Sequence, residues 1–269
     1  MIFEFKLNPI EEVHPWGEPS NKSLHWFGFT EGEYRIKVGS EYLLNYSSEF
    51  TNYLNKKFPE YFSKTTFVDY QVVRLWEDIL AMFHFIIEPV PQELHHFLDF
   101  GYENYSSLRS RVDDWLDSET AKGSDEEESW KISEKADFWL NERWLDSGYL
   151  SPSARIWIWS DENDVIFSWD NREIKVENIS VWSAAQGNYR ISKEDFINEV
   201  QQFDRSLISQ MNNRVETICK TWKHPEIKVD FEQLQSEQKN RATWFEPNAK
   251  NVLKTDWSEV LSAIKIINS

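Results

Sequence analysis

The sequence predicts an α+β fold: short antiparallel strands packed against several helices, one of them long and in the C-terminal half. Three observations predict it. Strand-like runs cluster between Ala154 and Ile191, an amphipathic helical pattern continues from Ser192 to Trp222, and a helix apolar nearly all round is written between Val68 and Ile87.

Arg155–Trp159 is rich in β-branched and aromatic residues. Ser160–Asp164 is polar turn material. Val165–Trp169 is a second run that Asp170 and Asn171 stop, and a third strand is expected near Gly187–Ile191. Ser192 then opens a helix as its cap, with Asp195 in a capping-box-like position and Glu194 near the positive helix end. Phe196, Val200, Phe203, Leu207, Met211, Val215, Ile218 and Trp222 recur at spacings of three and four, which puts them along one side. Pro225 limits the run, and at about 1.5 Å per residue the helix 193–222 would be roughly 45 Å long.

In the first part of the chain, Met1–Leu7 alternates as a short strand, and Asn8–Ser23 carries three prolines and reads as a loop. Leu24–Phe29 and Tyr34–Val38 read as a hairpin about Glu31-Gly32-Glu33, with Tyr42–Tyr46 a further strand. The helix over Val68–Ile87 should be central and buried, and Glu88-Pro89-Val90-Pro91 ends it. Pro91 can begin a short helix through Leu98. Tyr105–Leu116 and Trp130–Leu145 read as two more helices, the second closed by Gly148 as a left-handed cap. Beyond Pro225, Phe231 and Leu234 suggest a short helix, and Asp256 with Glu259 a capping box for a last one.

A chain of 269 residues fits one domain, or two lobes (1–117 and 129–269) joined by an acidic loop. It can bury about 70–75% of its unfolded surface, and 14 tryptophans supply much of a core. No apolar run reaches the roughly 18 residues of a membrane span, and Glu4 and Lys6 interrupt any leader-like start. The single Cys219 forms no internal disulfide, falls beside core positions of the long helix and is expected to be a buried thiol, which favours a reducing cytoplasm. A net charge of −17 repels phosphates and argues against nucleic-acid binding.

Several runs together resemble a family of uncharacterised bacterial proteins carrying a domain of unknown function. They are Leu24-His25-Trp26-Phe27-Gly28-Phe29-Thr30, Arg74-Leu75-Trp76-Glu77-Asp78, Glu88-Pro89-Val90-Pro91, Leu145–Leu150 and Trp169-Asp170-Asn171. The similarity covers roughly Leu24 to Val215 and implies a bacterial cytoplasmic protein. It brings no functional residues with it.

Chemistry is sparse in the sequence. Phosphate-binding glycine loops and a Gly-x-Ser-x-Gly elbow are absent, and one cysteine excludes cysteine-rich zinc sites, so no cofactor or metal is expected. His95 and His96, with Glu88 and Glu93 nearby, are the best metal or acid–base candidates. Neighbours on a helix point about 100° apart, however, so an exposed helix edge is the simpler reading. His14 and His25 are isolated, and either can pair with a distant ligand; His84 falls within the central helix and reads as a satisfied core polar group. Asp161, Asn163 and Asp164 lack the glycine and distal glutamate of a calcium loop and read as a turn. Arg172 can bind an anion, or Asp170 can close a turn on its own backbone.

The remaining feature is an acidic block: Asp113, Asp114, Asp117, Glu119, Asp125, Glu126, Glu127 and Glu128. A solvated face is the simpler reading, and part of the charge suits the next helix start. The functional expectation is a non-enzymatic protein that binds a basic partner through this block; an immunity factor neutralising a basic toxin is its specific form. The alternative is a hydrolytic or metal-assisted enzyme whose residues meet only in three dimensions.

Overall fold

Strand β3 (Glu31–Val38) organises the first sheet because both its edges find partners. β1 (Phe3–Leu7) lies antiparallel along one edge, with Phe3 opposite Ile36 and Leu7 opposite Gly32. The other edge is shared by β4 (Glu41–Leu43) and β5 (Val68–Gln71). Gly39, at φ 60°, takes the left-handed conformation that a two-residue hairpin turn demands between β3 and β4. The chain is described here by a computed structural model covering residues 1–59, 65–99, 102–118, 122–123, 126–251 and 254–269.

The chain folds into two compact units, each assembled from separate stretches. The first comprises Met1–Ala81, Ile174–Ala184 and Glu194–Asn251; the second comprises Met82–Glu173, Ala185–Lys193 and Val252–Ser269. Helices α1 (Ser48–Lys57) and α2 (Val72–Ile87) follow β4 and β5 in turn.

In the first unit the sheet is covered by α5 (Lys193–Thr221), the long helix. The side expected from its spacing is the buried one: Phe196, Val200, Phe203, Leu207, Met211, Val215 and Ile218 are all inaccessible or nearly so. Phe203 stacks on Phe3 with ring centroids 5.3 Å apart and meets Phe5 at 5.5 Å. A second cluster surrounds Arg241, at the end of α6 (Phe231–Arg241). Its guanidinium lies 4.5 Å from the Trp26 ring centre and pairs with Glu77 at 2.6 Å, while Trp26 Nε1 donates to Gln238 Oε1 at 2.7 Å. The unit also holds α7 (Phe245–Lys250) and two two-stranded pairs: β2 (Lys22–Ser23) parallel to β11 (Ile227–Lys228), and β8 (Lys175–Val176) with β9 (Ile179–Ser180).

The second unit is built on an antiparallel sheet of order β10-β7-β6: Gln186–Ser192, Asp164–Asp170 and Ile156–Ser160. Gly187 is required in β10 because the indole of its cross-strand partner Trp169 occupies the space of a Cβ, which would lie 2.5 Å from the ring. Helices α3 (Tyr102–Leu116), α4 (Glu126–Asn141) and α8 (Trp257–Ile267) share a core with this sheet. Leu108, Val112, Trp139, Leu140, Trp157, Ile166 and Ile264 are among its buried residues.

The structure differs from the sequence reading at several points. Val68–Gln71 is strand, not the first turn of the central helix, because the free edge of β3 offers it a ladder; the helix begins at Val72. Leu24–Phe29 is not a hairpin arm. It ends in a 3₁₀ turn (Gly28–Thr30) that buries Phe29, since β1 and β5 already occupy β3 beside it. Ser192 is the last residue of β10, directly before α5, and the N–H of Lys193, the first helical residue, donates to Asn163 O. α4 ends at Asn141, so Glu142 to Leu145 leave the helix, and Gly148 is not in the left-handed region. Cys219 is part-exposed and accepts from Gln235 Nε2 rather than being buried. Asp256 does cap the last helix, accepting from Glu259 N at 3.1 Å.

Candidate functional site

Two helix ends bring part of the acidic block together. On α3, Val112 and Trp115 are drawn into the core, which turns Asp113 and Asp117, one helical turn apart, outward. On α4, Ser129 is buried while Glu126, Glu127, Glu128 and Trp130 face solvent. The result is an open groove of about 650 Å³ lined by Asp113, Leu116, Asp117, Lys122, Glu126, Ser129 and Trp130. Asp114, Glu127 and Glu128 are exposed but outside its lining, and Glu119 and Asp125 lie outside the described residues.

The groove is acidic with an aromatic element. Lys122 is the one cation among its described lining residues, against the carboxylates of Asp113, Asp117 and Glu126. Trp130 is 60% exposed, unusual for the residue type that elsewhere fills this core. Glu127 pairs with Lys131 at 2.6 Å on an exposed face, a contact of small energetic weight. Farther along α4, burial pushes the Asp137 carboxyl up from its usual range. Arg109 opposes the shift, and Asp113 adds to it by repulsion.

Most of the other sequence candidates are tied up locally, although the buried Nδ1 of His84 has no hydrogen-bond partner among the described residues. His95 Nε2 donates to Val90 O at 2.8 Å and its ring packs on Trp159, while His96 is exposed. Glu88 is engaged elsewhere, accepting from Thr255 Oγ1 at 2.6 Å and from Arg143 Nη2 at 3.2 Å. No group of three or more side chains able to hold a metal ion occurs among the described residues. Asp161 accepts from the N–H groups of Asn163 and Asp164, the solvated turn expected. Arg172 is held by Asp170 through two bonds of 2.8 and 2.9 Å, and Asp170 also accepts from Tyr102 N, so the guanidinium's fork is already committed.

Sequence reasoning left the partner of His14 unnamed and missed a second arrangement. His14 Nδ1 lies 2.7 Å from Glu31 Oε1, and this hydrogen bond, with the Glu31 charge, raises the imidazole above its ordinary value of 6.5. The other is the Arg143–Glu88 pair: Arg143 is wholly inaccessible, and burial pulls its guanidinium down to about 10 despite the Glu88 charge. Nothing in the local sequence marks Arg143 as buried.

What these features define is an α+β protein with an acidic, tryptophan-bearing groove. The chain belongs to a family described as a family of unknown function (DUF5984), which it matches over residues 2–263. Neither the curated proteins nor the solved structures contain a match to it. No helix among the described residues is long and apolar enough to cross a membrane.

Proposed function

We propose that this is a bacterial cytoplasmic protein-binding protein that docks a basic partner on the groove between α3 and α4. The observation that supports the reading is the convergence of Asp113, Asp117 and Glu126 around the exposed Trp130. Each part has a distinct task. Carboxylates concentrated on a chain of net charge −17 steer a cationic partner and set its association rate. An accessible indole supplies the large, rigid apolar area that dominates binding energy at interfaces. An immunity factor that blocks a basic toxin is the specific form of this reading, and it would be recognised by a toxin gene adjoining this one.

The test uses the purified product of that neighbouring gene. Its association rate should fall steeply between 0.1 and 1 M salt, as the screening length drops from about 10 Å to about 3 Å. Asp113→Asn, Asp117→Asn and Glu126→Gln together should slow association with the fold intact. Trp130→Ala should chiefly speed dissociation. Salt-independent association, with no kinetic change in the neutralised variant, would assign the block to solubility alone.

A further inference from the structure

A second groove, of about 350 Å³, runs along α4 beyond the acidic end, with walls of Phe85, Phe138, Trp139 and Val260. It is formed by helical spacing: Lys131, Glu134, Lys135 and Phe138 fall at i, i+3, i+4 and i+7 and so share one face. Phe138 remains 47% exposed there. A half-exposed phenylalanine beside an otherwise apolar hollow is a surface that a ligand can cover with gain.

Arg143 also lines this groove. The backbone fixes its place: as the chain leaves α4, Arg143 O accepts from Ile158 N of β6 at 2.9 Å. Its Nη1 donates to Trp139 O at 2.9 Å and its Nη2 to Glu88 Oε2 at 3.2 Å. Its Nε–H is buried and has no acceptor among the described residues. Buried donors in native proteins are almost always satisfied, so an orphan on a cationic group calls for a partner. The side chain is also under-compensated, since burial outweighs the Glu88 charge in its titration.

The rim of the groove carries slightly more negative than positive charge: Lys131 and Lys135 against Glu134, Asp256 and Glu259. Lys131 and Lys135 make exposed ion pairs with Glu127 and Glu259. Asp256 is held as a helix cap, and Glu134 adds a further negative charge. An incoming carboxylate would meet this rim and a chain of net charge −17.

We propose that the groove is a binding site for a small neutral molecule: an aromatic or branched apolar body bearing one carbonyl oxygen. The body lies against Phe85, Phe138 and Val260, and the oxygen accepts from Arg143 Nε. Because Arg143 is sealed from solvent, the oxygen reaches it only after the lining side chains rearrange. The site is independent of the docking reading above: it uses none of the residues that line the acidic groove.

The probes are phenylacetamide, phenylacetate and ethylbenzene, which keep one ring and change the polar end. The readout is the Arg143 Nε–H resonance in a ¹H–¹⁵N spectrum, assigned by its loss in Arg143→Lys; if that variant does not fold, assignment through the side-chain carbons of the parent protein serves. Phenylacetamide should shift this resonance with a Kd of roughly 1 mM or tighter. Ethylbenzene should leave it in place, and phenylacetate should bind more weakly than the amide. Phe138→Ser, a change at a half-exposed position, should weaken the amide by about tenfold with the fold unchanged. An unmoved resonance, tighter binding of phenylacetate, or undiminished affinity in Phe138→Ser would each overturn the proposal.

Discussion

Phe203→Ala tests whether the long helix is the spine of the first unit. Phe203 is wholly inaccessible, and its ring is stacked 5.3 Å from Phe3 and tilted 5.5 Å from Phe5. Truncation removes the buried area of the ring and leaves a cavity between helix and sheet, for an expected loss of about 3–5 kcal/mol. Phe203→Leu retains most of the volume and loses mainly the ring pairs, at about 1–2 kcal/mol. The exposed neighbour Gln202→Ala should stay within about 0.5 kcal/mol and serves as the control. Urea unfolding followed by circular dichroism gives the three values. Combining Phe203→Leu with Phe3→Leu should expose a coupling of about 0.5–1.5 kcal/mol. A loss below about 1 kcal/mol for Phe203→Ala, or no coupling with Phe3, would show that this face of α5 is not packed on β1.

Two further perturbations address buried and titrating pairs. Glu88→Gln leaves the inaccessible Arg143 guanidinium without its counter-charge and should cost about 3–5 kcal/mol in urea unfolding; a change under about 1 kcal/mol would mean the pair is hydrated in solution. His14, whose folded value is raised by Glu31, contributes stability that is full below its ordinary value of 6.5 and is lost as pH rises through the higher folded value. The stability difference between the parent and His14→Gln should therefore be largest in mild acid and shrink above neutrality, and a difference that grows with pH would contradict the pairing.

The long helix was legible because seven apolar residues from Phe196 to Ile218 repeat at a single helical phase, and only one face could be buried. Val68–Gln71 was not, because its residues suit either state. Val68 and Gln71 are in phase with the helix that follows, and the decision lay with β3, more than thirty residues upstream. Leu24–Phe29 failed for a related reason: its aromatics looked like strand, yet the edges of β3 went to segments farther away in sequence. Charge is written plainly in composition, so the acidic block could be found. The accessibility of Trp130 and the burial of Arg143 are properties of helix rotation and chain reversal, which no local pattern reveals.

Helix α4 carries both proposed sites, and the physics of each allows them to be separated. At its first turn the carboxylates act at a distance, through a field that salt removes, and the energy they lend a partner appears mostly in the rate of encounter. Along the stripe from Lys131 to Phe138 and at Arg143 the useful groups act only in contact, and the unsatisfied Arg143 Nε–H is buried below the reach of bulk ions. Phenylacetamide is neutral, so its affinity should change little between 0.1 and 1 M salt, whereas association of a basic protein should slow steeply. Neutralising Asp113, Asp117 and Glu126 should abolish the second effect and spare the first. Phe138→Ser should do the reverse. If the two variants affected both processes alike, the groups would be acting through a shared disturbance of α4, and neither groove could be credited with a binding role of its own.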